Sequence, residues 1–238
     1  MEEFRNANFE GSGAWRQFIW LFVSKQLSKA SWSRLMTKGL GLSAEFAQWQ
    51  LDNFSNRIPT CVTREQVWKK MFGAIDEKKP VIVWEFGVAW GYSSKWWLER
   101  ITQENLRWHG FDRFTGLPRA WRDYEVGAFD NGGIPPAILD KRVTWHVGDV
   151  ETTLPLLNIE RETDTQWVIL FDLDLYEPTK YVYNYLKEFL RPGDLLYFDE
   201  AFDDDERRVL NEDIVNNSEI KFSLHACNPI SLALRVEG

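Results

Sequence analysis

From Pro80 onward, short apolar runs alternate with stretches of helical spacing. VIVWEF (81–86), LRWHGFD (106–112), RVTWHVGD (142–149), WVILFDLD (167–174) and LLYFDE (195–200) read as strands. Between them, YSSKWWLERI and PTKYVYNYLKEFL read as helices. The second has apolar residues at 182, 185, 186, 189 and 190, and Pro178 suits its first turn. A charged helix follows over about 203–215, and IKFSLHA and ISLALRV close the chain as two more strands. Such alternation predicts an α/β fold, a mostly parallel sheet covered by helices on both faces.

The first 79 residues keep a helical period instead. Trp15, Phe18, Ile19, Phe22 and Leu27 recur at that spacing, and AEFAQWQLDNF and TREQVWKKMFGAI continue it, with Thr63 as N-cap of the latter. No glycine-serine linker intervenes. The expectation is a helical cap over 1–79 packed on a sheet domain over 80–238, with an aromatic stripe suited to core packing or to a homo-oligomer interface.

Composition narrows the class. With 238 residues, 44% hydrophobic and 13 Trp, the chain can bury a large core. The net charge is −8, and no lysine or arginine cluster is present that would neutralise a phosphate backbone, so no nucleic-acid partner is expected. FIWLFV (18–23) is too short to span a bilayer, and the acidic start MEEF is unlike a signal peptide. Cys61 and Cys227 lack metal-ligand spacing and read as packing residues. A cytoplasmic protein without a membrane partner is expected.

Candidate chemistry gathers at the strand ends, where ligands of such sheets sit. Glu85, Asp112, Asp149, Asp172, Asp174, Asp199 and Glu200 all lie there. One acid at such an end is ordinary; several on one edge suggest a site. The loop WEFGVAWGYS fails the dinucleotide pattern, whose third and sixth places are Ala89 and Tyr92 here. Its Glu85-x-Gly87-x-x-x-Gly91 spacing instead resembles motif I of class I S-adenosylmethionine (SAM) methyltransferases. That resemblance implies a Rossmann-like sheet with an antiparallel last strand. It places SAM against Glu85, Gly87, Ala89, Gly91 and Ser93, with the ribose hydroxyls on Asp112 and the adenine near Asp149 and Val150.

EFGVAWGYS, GFDRFTGLPRAW, GDVETTLP, DLDLYEPT and LRPGDLLYFDE, in this order, look like the macrocin O-methyltransferase family, which methylates sugar hydroxyls of natural products. The resemblance implies a divalent metal on Asp172, Asp199 and Glu200, with Asp174 as general base. Hard carboxylate oxygens, without clustered cysteine or histidine, suit Mg²⁺. The family pair at strand five is Asp-Asp, and Glu200 departs from it; solvated strand-end acids are the alternative for 199 and 200.

The connection 113–138, rich in aromatics, Gly and Pro, reads as a lid over the acceptor, with Trp121, Tyr124 and Phe129 as its contact residues. His146 reads as a packed strand residue, and His225 has no evident partner. The expected activity is Mg²⁺-dependent O-methylation of a small-molecule acceptor. The rivals are metal-independent transfer to nitrogen, carboxylate or peptide, and a catalytically silent SAM-binding protein.

Overall fold

The computed structural model describes residues 31–54, 61–216 and 219–238, with side chains from residue 40 onward. The aromatic repeat at 15–27 and the FIWLFV run lie outside the described residues. The chain divides into two compact units, 1–45 and 46–238. In the first, the described backbone is the start of helix α1 (Ser31–Asn53). None of the described helices is long and apolar enough to cross a membrane.

The second unit is built on seven strands: β1 (Val81–Phe86), β2 (Arg107–Asp112), β3 (Val143–Val147), β4 (Gln166–Phe171), β5 (Leu195–Phe198), β6 (Phe222–Cys227) and β7 (Leu232–Val236). They form one sheet in the order β3-β2-β1-β4-β5-β7-β6, parallel except for β7, which runs against both neighbours. This is the expected architecture. Its strand order reverses between β1 and β4, whose ends stay level: Phe86 pairs with both Phe111 and Phe171.

Strand alternation sorts the core into two layers. Ile82, Trp84 and Phe86 of β1 face one way, with Trp167, Ile169 and Phe171 of β4. Helices α5 (Tyr176–Leu186) and α6 (Asp204–Val209) close that layer through Val182, Leu186 and Val209. Val81 and Val83 face the other way, with Val168 and Leu170. Helices α2 (Arg64–Phe72) and α3 (Tyr92–Leu98) cover them through Val67, Trp68, Met71 and Trp97. Residues 64–72, expected in the cap, thus help to form the core of the sheet unit, with Thr63 capping α2 as anticipated.

Several boundaries differ from expectation at the ligand-bearing edge, where β3 and β5 each stop two residues early, at Val147 and Phe198. Strand β4 stops at Phe171 rather than Asp174, and three residues on Asp174 takes a left-handed backbone (φ 62°) through which pleating cannot continue. Helix α5 starts at Tyr176, two residues before Pro178, which therefore sits within its first turn.

At the opposite edge, buried Asp194 ties β4 to β5. Its Oδ1 accepts from the Trp167 amide and Arg161 Nη2, each at 2.8 Å, and its Oδ2 from the Arg191 amide at 2.8 Å. Arg161 is 5% exposed and lies over the Trp167 ring, so truncating Asp194 strands a buried cation. Asp194→Ala should lose about 3–5 kcal/mol in urea denaturation; a loss within experimental error would show the clamp to be dispensable.

Candidate active site

A cavity of about 700 Å³ opens beyond the carboxyl ends of β1, β2, β4 and β5. That is within the usual range for small-molecule sites. Its rim depends on Gly87. With φ at 89°, this residue lies so close to β4 that a methyl there would overlap the Asp172 carbonyl oxygen. The strand tips stay bonded one step past the sheet. Gly87 N–H donates to Phe111 O (3.0 Å), Asp172 N–H to Phe86 O (2.8 Å) and Asp199 N–H to Phe171 O (3.0 Å).

Among the expected SAM residues, Gly87, Ala89, Ser93, Asp112, Asp149 and Val150 line the cavity. Glu85 and Gly91 do not. Glu85 shares the odd face of β1 with Val81 and Val83, so its carboxylate falls beneath the loop, 1% exposed. There it accepts from the Ser93 and Ser94 hydroxyls and from Trp108 Nε1 at 3.0 Å. Burial outweighs these three donors and raises its pKa to about 7. Gly91 (φ 75°) caps α3, and a methyl there would press on Pro136.

Asp112 holds the glycine loop directly. Its Oδ2 accepts from the amides of Val88 (2.8 Å) and Ala89 (2.7 Å), and its Oδ1 from that of Phe114 (2.7 Å). A carboxylate offers about four lone-pair sites, so roughly one is left for a ribose hydroxyl. Asp149 precedes the short helix α4 (Val150–Thr153), its carboxylate 3.3 Å from Arg113 Nε.

Toward β4 and β5 the cavity floor is acidic. Asp172, Asp174, Asp199 and Glu200 line it, and Glu206, a fully buried residue that the sequence reading missed among the charges of α6, acts on Asp172 from outside the lining. Burial, then mutual repulsion, raises Asp172 and Glu206 well above the ordinary range. Asp174 is raised to about 7, by burial and then by Glu200 and Asp199. Two arginines, also missed, answer them. Arg64 Nη1 lies 3.1 Å from Asp199 Oδ2, and Arg122 Nη2 lies 3.0 Å from Glu200 Oε2. The other oxygen of Asp199 accepts from the Tyr197 hydroxyl.

The 113–138 connection is folded over this floor. Trp121 and Leu117 bury against Leu175, Arg122 pairs with Glu200 and Asp203, and Trp121 Nε1 donates to Asp205 at 3.2 Å. The histidines lie apart from the acids. His146 stacks on Phe111 and sits 3.1 Å from His109, while His225 meets the Lys70 carbonyl at 3.1 Å.

For Mg²⁺ the donor type suits but the arrangement does not. Asp199 is taken up by Arg64 and Tyr197, and Glu200 by Arg122, which leaves Asp172 alone of the three expected ligands. Among the described residues, no three His, Cys, Asp or Glu side chains group as a metal site requires. For SAM the fit is better, with a glycine that lets the loop approach, a carboxylate with a free acceptor position, and a cavity of the right size.

Residues 84–201 match a family model described as a methyltransferase domain. The crystal structure of the calicheamicin methyltransferase CalS11 superposes with a TM-score of 0.53 at 20% identity, covering 95% of both chains. An apo structure of CalS11, described as a TDP-rhamnose 3'-O-methyltransferase, gives 0.51 at 21%, covering 82% of this chain and 93% of that one. The O-methyltransferase NovP gives 0.51 at 16%, covering 73% and 79%. No curated protein matches the chain. The matched domain, on this sheet and with this glycine loop, makes the chain a class I SAM-dependent methyltransferase.

The buried Glu85 gives stability a pH dependence. Its folded pKa lies above the ordinary 4.5, so its contribution is full below that value and is lost as pH rises through about 7. Between about pH 5 and pH 8 the unfolding free energy should fall by up to about 3 kcal/mol from this group. Glu85→Gln, which does not titrate, should flatten that slope in urea denaturation. An unchanged slope would place the titration elsewhere.

Proposed function

We propose that the chain transfers the SAM methyl group to a hydroxyl oxygen of a small molecule, with a natural-product sugar as the favoured acceptor. The observation that carries this reading is Asp174. It lines the cavity from a left-handed backbone position that a non-glycine residue holds only at a cost. Its pKa of about 7 suits a base working near neutrality. The O-methyltransferases CalS11 and NovP share the fold and support the choice of oxygen and, for CalS11, of sugar.

Bound SAM supplies a methyl already activated by its sulfonium. The chain's part is to orient and to take a proton. The Gly87 turn and Asp112 hold the loop at the ribose, and the floor acids receive the hydroxyl. As the acceptor oxygen attacks and the methyl–sulfur bond breaks, Asp174 takes the hydroxyl proton, leaving an ether and S-adenosylhomocysteine (SAH). Held geometry supplies much of the rate. The reading routes no step through Mg²⁺, because arginines hold two of the three carboxylates it would need.

Labelled SAM and a panel of sugars and phenols test this. With the acceptor found, Asp174→Asn should lower kcat by about 10²–10⁴-fold while SAH affinity in calorimetry stays unchanged. Because the base acts deprotonated, wild-type kcat should rise with pH through about 7. Full activity in Asp174→Asn would remove it as the base, and no SAH binding by wild type would sink the whole reading.

A further inference from the structure

The cation of this site belongs to the chain itself. Asp199 is 2% exposed and has one oxygen on Tyr197, so its remaining charge must be met by something fixed in place. Arg64 meets it at 3.1 Å, from the first turn of α2 and across more than half the chain's length in sequence. It lines the same cavity as Asp172 and Asp174, and its field acts on Asp172 and Glu200 as well as on Asp199. One turn further on, Trp68 packs into the core against Tyr197, so α2 holds Arg64 at a set height over the floor.

We infer that Arg64 fills the place that a divalent metal would take among Asp172, Asp199 and Glu200, and that methyl transfer here proceeds without a metal. A guanidinium stays protonated at any working pH and presents five N–H donors. Asp199 engages it through one nitrogen, so further donors are available to an acceptor oxygen. A Mg²⁺ ion needs carboxylate oxygens at about 2.0–2.1 Å in near-octahedral array. It could assemble them only by displacing Arg64 from Asp199 and Arg122 from Glu200. The resident ion pairs therefore compete with metal.

The inference rests on the methyl-transfer reading, and its test needs neither acceptor nor SAM. Mn²⁺ is titrated into the wild type and into Arg64→Met, with free Mn²⁺ read by electron paramagnetic resonance. SAH calorimetry and thermal melting on the same samples report separately on cofactor binding and folding. Wild type should bind no Mn²⁺ at this site, and Arg64→Met should gain affinity by about tenfold or more, since the ion no longer has to displace a fixed positive charge from Asp199. Arg64→Gln replaces it if the Met variant does not fold. Wild-type binding as tight as the variant's, or tighter, overturns the inference. Binding by neither chain also overturns it, since the acids would then be no metal site for Arg64 to fill.

Discussion

Everything at the active edge depends on how closely β1 and β4 approach where they leave the sheet. The strand order reverses between them, so the connections that follow them lead to helices in opposite layers and a crevice opens there. Gly87 limits that opening. Without a side chain it turns against the Asp172 backbone, and the bonds from Gly87 to Phe111 and from Asp172 to Phe86 extend the ladder one residue past the strands. The glycine loop and the β4 acids are thereby held on either side of one cavity.

The cost of that arrangement is electrostatic. Asp172, Asp174, Asp199, Glu200 and Glu206 are brought together where water is scarce, and each is raised above its ordinary pKa, first by burial. Such crowding opposes stability at neutral pH and persists at functional sites because the surrounding fold holds it. Arg64 and Arg122 relieve part of it, one from α2 and one from the long connection. Residues from outside the parallel strands thus complete the floor. Asp174, on which Arg122 acts only through space, remains the group able to accept a proton near neutrality.

The strands and the chemistry-bearing edge were legible because the signal is local. Apolar runs mark β1, β2, β4 and β5, and the acids follow them directly. The orientation of individual side chains was harder to read. Glu85 looked like a ligand at a strand end, yet its odd position sends it under α3, to Ser93 and Ser94. Asp174 continued the β4 alternation in sequence, and only the backbone reversal separates it from the strand. Arg64 and Glu206 carried no local mark. An amphipathic helix announces that one face is buried, not against what, and Arg64 meets Asp199 only through the closed fold. In DDDERR, Glu206 is chemically indistinguishable from its solvated neighbours, yet it alone is fully buried and accepts the Glu200 amide at 3.0 Å.

The central claim is that one cavity holds SAM on the Gly87–Asp112 side and presents its methyl to Asp174 on the other. A crystal structure of the SAH complex tests it most directly. The account predicts a ribose hydroxyl on Asp112 and the SAH sulfur facing the Asp174 carboxylate, with space between for an acceptor oxygen. SAH bound with its sulfur turned away from Asp174, or its ribose away from Asp112, would contradict it.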